Sequence, residues 1–381
     1  MIKVLIAGDY CPQERISSMI VKKETDGIFT GVTPIISEAD YSLINFECPI
    51  SESGYLPILK QGPCLHTSEG ALSLIKQAGF SCATLANNHF RDFGNKGCMR
   101  TIETLKAMGL DYVGGGRNIA EAQTNLIKEI KGCKIAFINV CEHEFSIATD
   151  EDAGSNPLDI IWITQSIVEL KQNCDCIIVI VHGGHEYYQL PSPRMKKLYR
   201  YLVDIGADVI INHHQHCFSG YEVYHDKPIF YGLGNFCFDG NRCDGKAMWH
   251  EGYMVTIIID ELSKSNNIRF NIVPYLQCKE KPEVRLMNNI ESDRFYERLK
   301  EINSIIQDDK ILSQSFKRWC ISKYHDMELA LTPYSRRFFI GLWRRRILPS
   351  FLPIKRVVNL FNKIACESHR DVLLSYLNHR L

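Results

Sequence analysis

Short runs of Ile, Val and Leu, with almost no charge inside them, recur along the first 260 residues, and stretches of helical periodicity separate them. Such runs fit strands buried on both faces. They place strands at 3–7, 41–44, 81–85, 134–140, 176–181, 208–211, 228–231 and 253–259. Helices fall between them. Residues 194–205 carry Met195, Leu198, Tyr199, Leu202 and Ile205 on one stripe, and Gly206 follows as a stop signal. Residues 69–78 and 95–108 read the same way. This alternation predicts an α/β fold whose sheets are covered by helices. After about residue 280 the strand signals fade and basic, aromatic-rich helical sequence takes over. The division expected is a first domain over 1–280 and a mainly helical C-terminal region over 281–381.

Composition narrows the class. Apolar residues make up 45% and charged residues 23%, ordinary values for a globular chain, which sets aside disorder and collagen-like repeats. A formal net charge of zero gives no reason to expect a nucleic-acid partner. The 15 cysteines are odd in number, and Cys82 and Cys176 lie inside strand-like runs, so free thiols in a reducing compartment are expected. The first residues, Met-Ile-Lys-Val-Leu-Ile-Ala-Gly-Asp, lack the basic-then-apolar pattern of a signal peptide. A cytoplasmic location follows as the expectation.

The polar residues gather at the ends of the strands. Asp9 ends the first, Glu47 the second, Asn88 and His89 the third and His182 the fifth, while His214 and His216 follow the sixth. In open α/β sheets ligands bind beyond the carboxyl ends of the strands. Each residue alone has a plain structural reading: Asp after Gly is a turn residue, Asn-Asn-His a cap, and a lone His a satisfied core histidine. Five strands delivering such groups to one edge point instead to a two-cation site. Carboxylate and amide oxygens with imidazole nitrogens suit Mn, Fe or Zn. A carboxylate bridging two cations generates a hydroxide at neutral pH, and a spare histidine can protonate a leaving group.

Six segments carry a resemblance. They are Gly8-Asp9, Asn45-Phe46-Glu47-Cys48-Pro49, Leu85-Ala86-Asn87-Asn88-His89 with Asp92 and Gly94, Gly114-Gly115-Gly116-Arg117-Asn118, His182-Gly183-Gly184-His185-Glu186-Tyr187, and the run from Gly206 through His214-Gln215-His216 to Asn235-Phe236. In this order they resemble the CapA family of poly-γ-glutamate capsule synthesis proteins, within the calcineurin-like metallophosphoesterase superfamily. The resemblance implies a four-layer αββα sandwich with a C-terminal helical extension, and a two-metal hydrolase. It implies Asp9 and His216 on one cation, Asn88, His182 and His214 on the other, Glu47 between them and His89 as general acid. Asn45, Arg117, Glu186 and Asn235 would contact the substrate, a phosphoester or an acidic polymer. Cys11 stands where the superfamily has a histidine, Asn212 where a glycine precedes the histidine pair, and Gly183 where a tryptophan is usual. The alternative is a non-catalytic accessory subunit that binds metal or polymer.

The C-terminal region adds one expectation. Eight basic residues and no acidic ones lie between Glu328 and Glu367. At 100° per residue Ile354, Val357, Val358, Leu360, Phe361 and Ile364 fall on one arc, opposite Lys355, Arg356, Asn359, Asn362 and Lys363. Residues 336–364 are therefore expected to touch the inner membrane face or a membrane synthase, although a helix packed on the first domain is the plainer reading.

Overall fold

The computed structural model describes residues 1–240, 247–260, 268–334, 336–349 and 352–380. A compact unit runs from Met1 to Leu312, and a second from Ser313 to Leu381.

The first unit is built on two sheets. One has the order Val284–Leu286, Ile268–Gln277, Glu251–Ile259, Ile2–Tyr10, Tyr41–Phe46, Cys82–Thr84, Asp111–Val113, with Asn235–Cys237 pairing beside the end of Ile2–Tyr10. The other has the order Tyr221–Tyr224, Lys227–Phe230, Val209–His213, Cys176–His182, Cys133–Cys141, Leu126–Ile130. In the first sheet Ile2–Tyr10, Tyr41–Phe46, Cys82–Thr84 and Asp111–Val113 run parallel, and the three strands on the other side of Ile2–Tyr10 are joined antiparallel. In the second the four inner strands run parallel and the two edge strands antiparallel.

Three apolar clusters define the layers. Ile2, Val4 and Leu43 of the first sheet meet Phe137, Ile178, Ile180 and Ile211 of the second. The other face of the first sheet, with Leu5, Ile44 and Ala83, packs on Ile16, Leu72, Ile75 and Leu105 of its helices. The other face of the second, with Ile138, Val179 and Ile210, packs on Ile163, Ile167, Tyr199 and Leu202. Consecutive strand residues point to opposite faces, so runs apolar at every position must be covered on both. The result is a helix–sheet–sheet–helix sandwich, as the resemblance implied. All eight strands and the three helices read from the sequence are present, the helices as Glu69–Gln77, Gly94–Met108 and Pro193–Asp204.

The boundary read at 281 falls inside the first unit. The strand Val284–Leu286 extends the first sheet, and Phe295 and Leu299 of the helix Asn289–Gln307 join the inter-sheet cluster. That helix starts at a capping box in which Asn288 and Glu291 satisfy each other's backbone N–H. The second unit contains the helices Arg337–Arg344, Ile354–Ala365 and Glu367–Arg380. Among the described residues no helix is long and apolar enough to cross a membrane. Cys11, Cys82 and Cys176 are among the free thiols; Cys243 lies outside the described residues.

Candidate metal centre

Parallel pairing aligns the strand ends that carry the polar groups. Asp9 is level with both Asn45 and Asn235, and His182 with both Cys141 and His213. The pairing register slips between Ala7 and Asp9, and such irregularities re-aim side chains beside functional sites. Close approach fixes the start of this edge. A Cβ on Gly8 would lie 1.9 Å from the carbonyl oxygen of Gly234, whose own oxygen accepts the Asp9 N–H at 3.1 Å. Glu47 follows its strand directly and donates its N–H to the Tyr10 carbonyl at 3.0 Å. Asn87 shapes the next turn: its amide donates to the Phe46 carbonyl at 2.9 Å, and its oxygen accepts the His89 N–H at 3.1 Å.

The loop after Val209–His213 is strained where the ligands sit. His214 and His216 have φ of +96° and +54°, a left-handed conformation costing about 1–3 kcal/mol per residue. Asn212 holds this loop, its amide donating to the Gly183 carbonyl at 2.9 Å and to Gln215 Oε1 at 3.0 Å. Its oxygen accepts from the Tyr199 hydroxyl at 2.6 Å. A glycine could supply none of these bonds, so Asn212 has a structural role.

Three potential ligands converge around a fourth, His182 Nε2. Asn88 Oδ1 is 3.0 Å away, His214 Nδ1 3.1 Å and Glu47 Oε1 3.5 Å. Atoms sharing one cation at about 2.0–2.2 Å stand about 3.0–3.6 Å from one another. A second group is looser. His216 Nδ1 is 3.7 Å from Asp9 Oδ2, and its Nε2 is 3.8 Å from Glu47 Oε1. Within each group the carboxylate and imidazole donors lie within 4.8 Å of one another. Glu47 belongs to both, and its two carboxylate oxygens are buried without a hydrogen-bond partner. A buried carboxylate left bare is costly, and a metal ion is a partner these donors could hold.

The electrostatics agree with ligand duty. Burial, followed by the neighbouring Asp9, pushes the Glu47 carboxyl well up in the metal-free protein. Burial would also raise Asp9, but His213, His182 and His216 outweigh it and hold its carboxyl below the usual range. Burial lowers His182 far below an ordinary histidine, and lowers His214 to about 4. Both are therefore neutral near pH 7, the form that binds a metal. Asn235 Oδ1 lies 2.9 Å from His216 Nδ1. Accepting a proton there leaves Nε2 free for a metal.

The family model described as "Bacterial capsule synthesis protein PGA_cap" matches residues 3–240. The chain belongs to this capsule synthesis family. It is 34% identical over 242 residues to the "Capsule biosynthesis protein CapA" of Bacillus anthracis, covering 61% of this chain and 59% of that one. It is 30% identical over 271 residues to the "PGA biosynthesis protein CapA" of Bacillus subtilis, covering 70% and 69%. The chain thus spans about three fifths of the length of the Bacillus anthracis relative. The crystal structure of the 5′-nucleotidase from Candida albicans aligns over 83% of this chain and 56% of its own, at 11% identity and a TM-score of 0.40.

The residues read from sequence divide into those gathered and those left out. Asp9, Glu47, Asn88, His182, His214 and His216 come together as described. Asn45 joins them, donating to Asp9 Oδ1 at 2.8 Å and lying 3.2 Å from His182 Nδ1. His89 and Glu186 line a cavity of about 370 Å³ that reaches His216. Arg117 stays apart: its side chain is 59% exposed and pairs with Glu121 at 2.6 Å. Cys11 is fully buried in the cluster between the first sheet and its helices, and burial pushes its thiol well up. A thiol held protonated is a poor ligand. Cys11→Ala should leave metal content and identity unchanged by elemental analysis; loss of one cation would make Cys11 a ligand.

Three groups escaped the sequence reading. His213 Nδ1 stands 3.3 Å from Asp9 Oδ1 without making a hydrogen bond. Tyr187, Phe238 and Trp249 form an aromatic wall around the cavity, with Trp249 5.1 Å from the His216 ring. Lys60, almost fully buried, is ion-paired with Asp92, and its Nζ lies 3.2 Å from His89 Nδ1. Asp92 Oδ2 meets His89 Nδ1 at 2.6 Å and also accepts the Leu65 N–H at 2.7 Å. This contact turns His89 Nε2 away from Asp92. For the hydrolase proposed below, Asp92→Asn is expected to lower turnover roughly 10–100-fold with metal retained, measured by steady-state kinetics beside metal analysis. Unchanged turnover would deny Asp92 that orienting role.

Proposed function

We propose that this chain is a metal-dependent hydrolase of capsule polymer synthesis, acting on a phosphoester or on a linkage of an acidic, poly-γ-glutamate-like polymer. The observation that carries this reading is the buried, unpartnered Glu47 carboxylate between two sets of ligands. Glu47, Asn88, His182 and His214 would hold one divalent cation, and Asp9, Glu47 and His216 the other. Mn, Fe or Zn fits these donors. When bound, such a pair polarises the scissile group and supplies hydroxide at neutral pH.

The protein's own groups do the rest. Asp92 and Lys60 orient His89, whose Nε2 delivers a proton to the leaving group. Asn45 and Asn235 orient Asp9 and His216 through the contacts given above. Tyr187 and Trp249 wall the cavity and exclude water from one side of it.

The names of the two Bacillus relatives support the capsule context. The test is to load the protein with Mn, Zn or Fe and follow release from an aryl phosphate, an alkyl phosphate and poly-γ-glutamate, with and without chelator. Chelator-sensitive turnover of at least one is expected. A protein holding both cations and turning over none supports the accessory reading, which the exposed basic helices of the second unit favour.

A further inference from the structure

The unit Ser313–Leu381 holds 13 Lys and Arg against 4 Asp and Glu, a net of +9. Its helix Ile354–Ala365 separates apolar and polar residues onto opposite arcs; Leu360 is half-buried and Val358 and Phe361 share a cavity with Val372 and Tyr376 of the next helix, but most of the apolar arc stays exposed. Ile354 is 75% exposed, Val358 60%, Phe361 72% and Ile364 54%. Lys355 and Arg356 flank that arc on either side. A helix packed into a protein core buries such an arc. One that lies at a bilayer boundary instead keeps it free, with basic side chains at its margins reaching for headgroups. Nearby, Phe338 and Ile347 are 70% and 63% exposed beside Arg344, Arg345 and Arg346. Trp343 turns inward and stacks on His325 at 4.7 Å, so it contributes nothing to this surface.

Charge selects the occupant. A second copy pairing through this same arc would bring its own basic margins against these, and like charges at close range repel. We propose that the helix Ile354–Ala365 docks on an anionic phospholipid surface, with Val358, Phe361 and Ile364 at the acyl boundary and Lys355 and Arg356 among the headgroups. Binding there draws on both terms: contact of apolar side chains with the acyl region and attraction of the basic residues to negative lipid. It places the first unit's reaction beside a membrane, whatever bond is cleaved.

The test is co-sedimentation of the full chain with vesicles of phosphatidylglycerol and phosphatidylcholine in equal parts, against phosphatidylcholine alone. The full chain should pellet with the first and not with the second. Release is expected near 1 M salt, where the Debye length falls to about 3 Å. Phe361→Asp should weaken partition about tenfold or more. The double change Lys355→Glu and Arg356→Glu should weaken it about 25-fold or more, at about fivefold per basic residue. Because the second variant leaves the apolar arc unchanged, it stays informative should Phe361→Asp misfold; circular dichroism checks both. Three results would overturn the proposal: no pelleting at low salt, equal pelleting with neutral vesicles, or wild-type partition by both folded variants. A stable dimer in vesicle-free solution that Phe361→Asp dissociates would overturn it as well, by assigning the arc to a second copy.

Discussion

For the hydrolase proposed above, replacing His89 with alanine is expected to lower turnover of an alkyl phosphoester about 10²–10⁴-fold, the usual contribution of a positioned general acid, with the bound metal retained. The same change barely affects an aryl phosphate with an acidic phenol, which departs without a proton. The contrast follows from the placement of His89. It lines the cavity, none of the close ligand contacts uses its ring, and Asp92 holds its Nδ1 at 2.6 Å. Burial lowers this imidazole, and Asp92 works against that shift. Steady-state kinetics across a leaving-group series checks the assignment. A loss of equal size for every leaving group would move His89 from proton donor to binding group.

Glu47→Gln has the second large effect, and its sign differs with and without metal. In the metal-free protein Glu47 is a fully buried carboxylate with no hydrogen bond, beside Asp9. Burial and Asp9 push that carboxyl up, so at neutral pH the folded protein either holds a charge away from water or takes up a proton, and both cost stability. A neutral amide of the same shape escapes that cost, so the metal-free variant melts no lower than the wild type. With metal the order reverses. A ligand that binds only the folded state stabilises it by about 2.7 kcal/mol at a hundredfold excess over Kd, and the variant forfeits most of that gain. Calorimetry of both proteins, with and without Mn, resolves the two effects. A metal-free variant that melts several degrees lower, or one that gains as much from metal as wild type, contradicts a bridging role.

The inner strands were legible because their residues are covered on both faces and so are apolar throughout. Ile2–Tyr10 and Cys176–His182 are nearly continuous hydrophobic runs. The strands missed sit outside this pattern. Leu126–Ile130 carries Lys128 and Glu129 on a sheet edge, and Ile268–Gln277 contains Arg269, Asn271 and Pro274. Proline argues against a central strand, and no local signal could have restored this one.

The centre was legible for the same reason. Asp9, Glu47 and His182 each end or directly follow a buried strand, and parallel registration brings strand ends together whatever the loops do. Lys60 was not legible. It lies in a loop of 51–67 without regular secondary structure, and only the loop's path brings it to Asp92. Arg117 shows the converse: its glycine-rich motif is plain in the sequence, yet its side chain turns to solvent and Glu121.

The most direct test of the central claim is anomalous diffraction from crystals grown with Mn. Two peaks are expected about 3.5–4 Å apart, one touching Asp9, Glu47 and His216, the other Glu47, Asn88, His182 and His214. No peak among these six residues, or a single ion that leaves Glu47 untouched, would contradict the account.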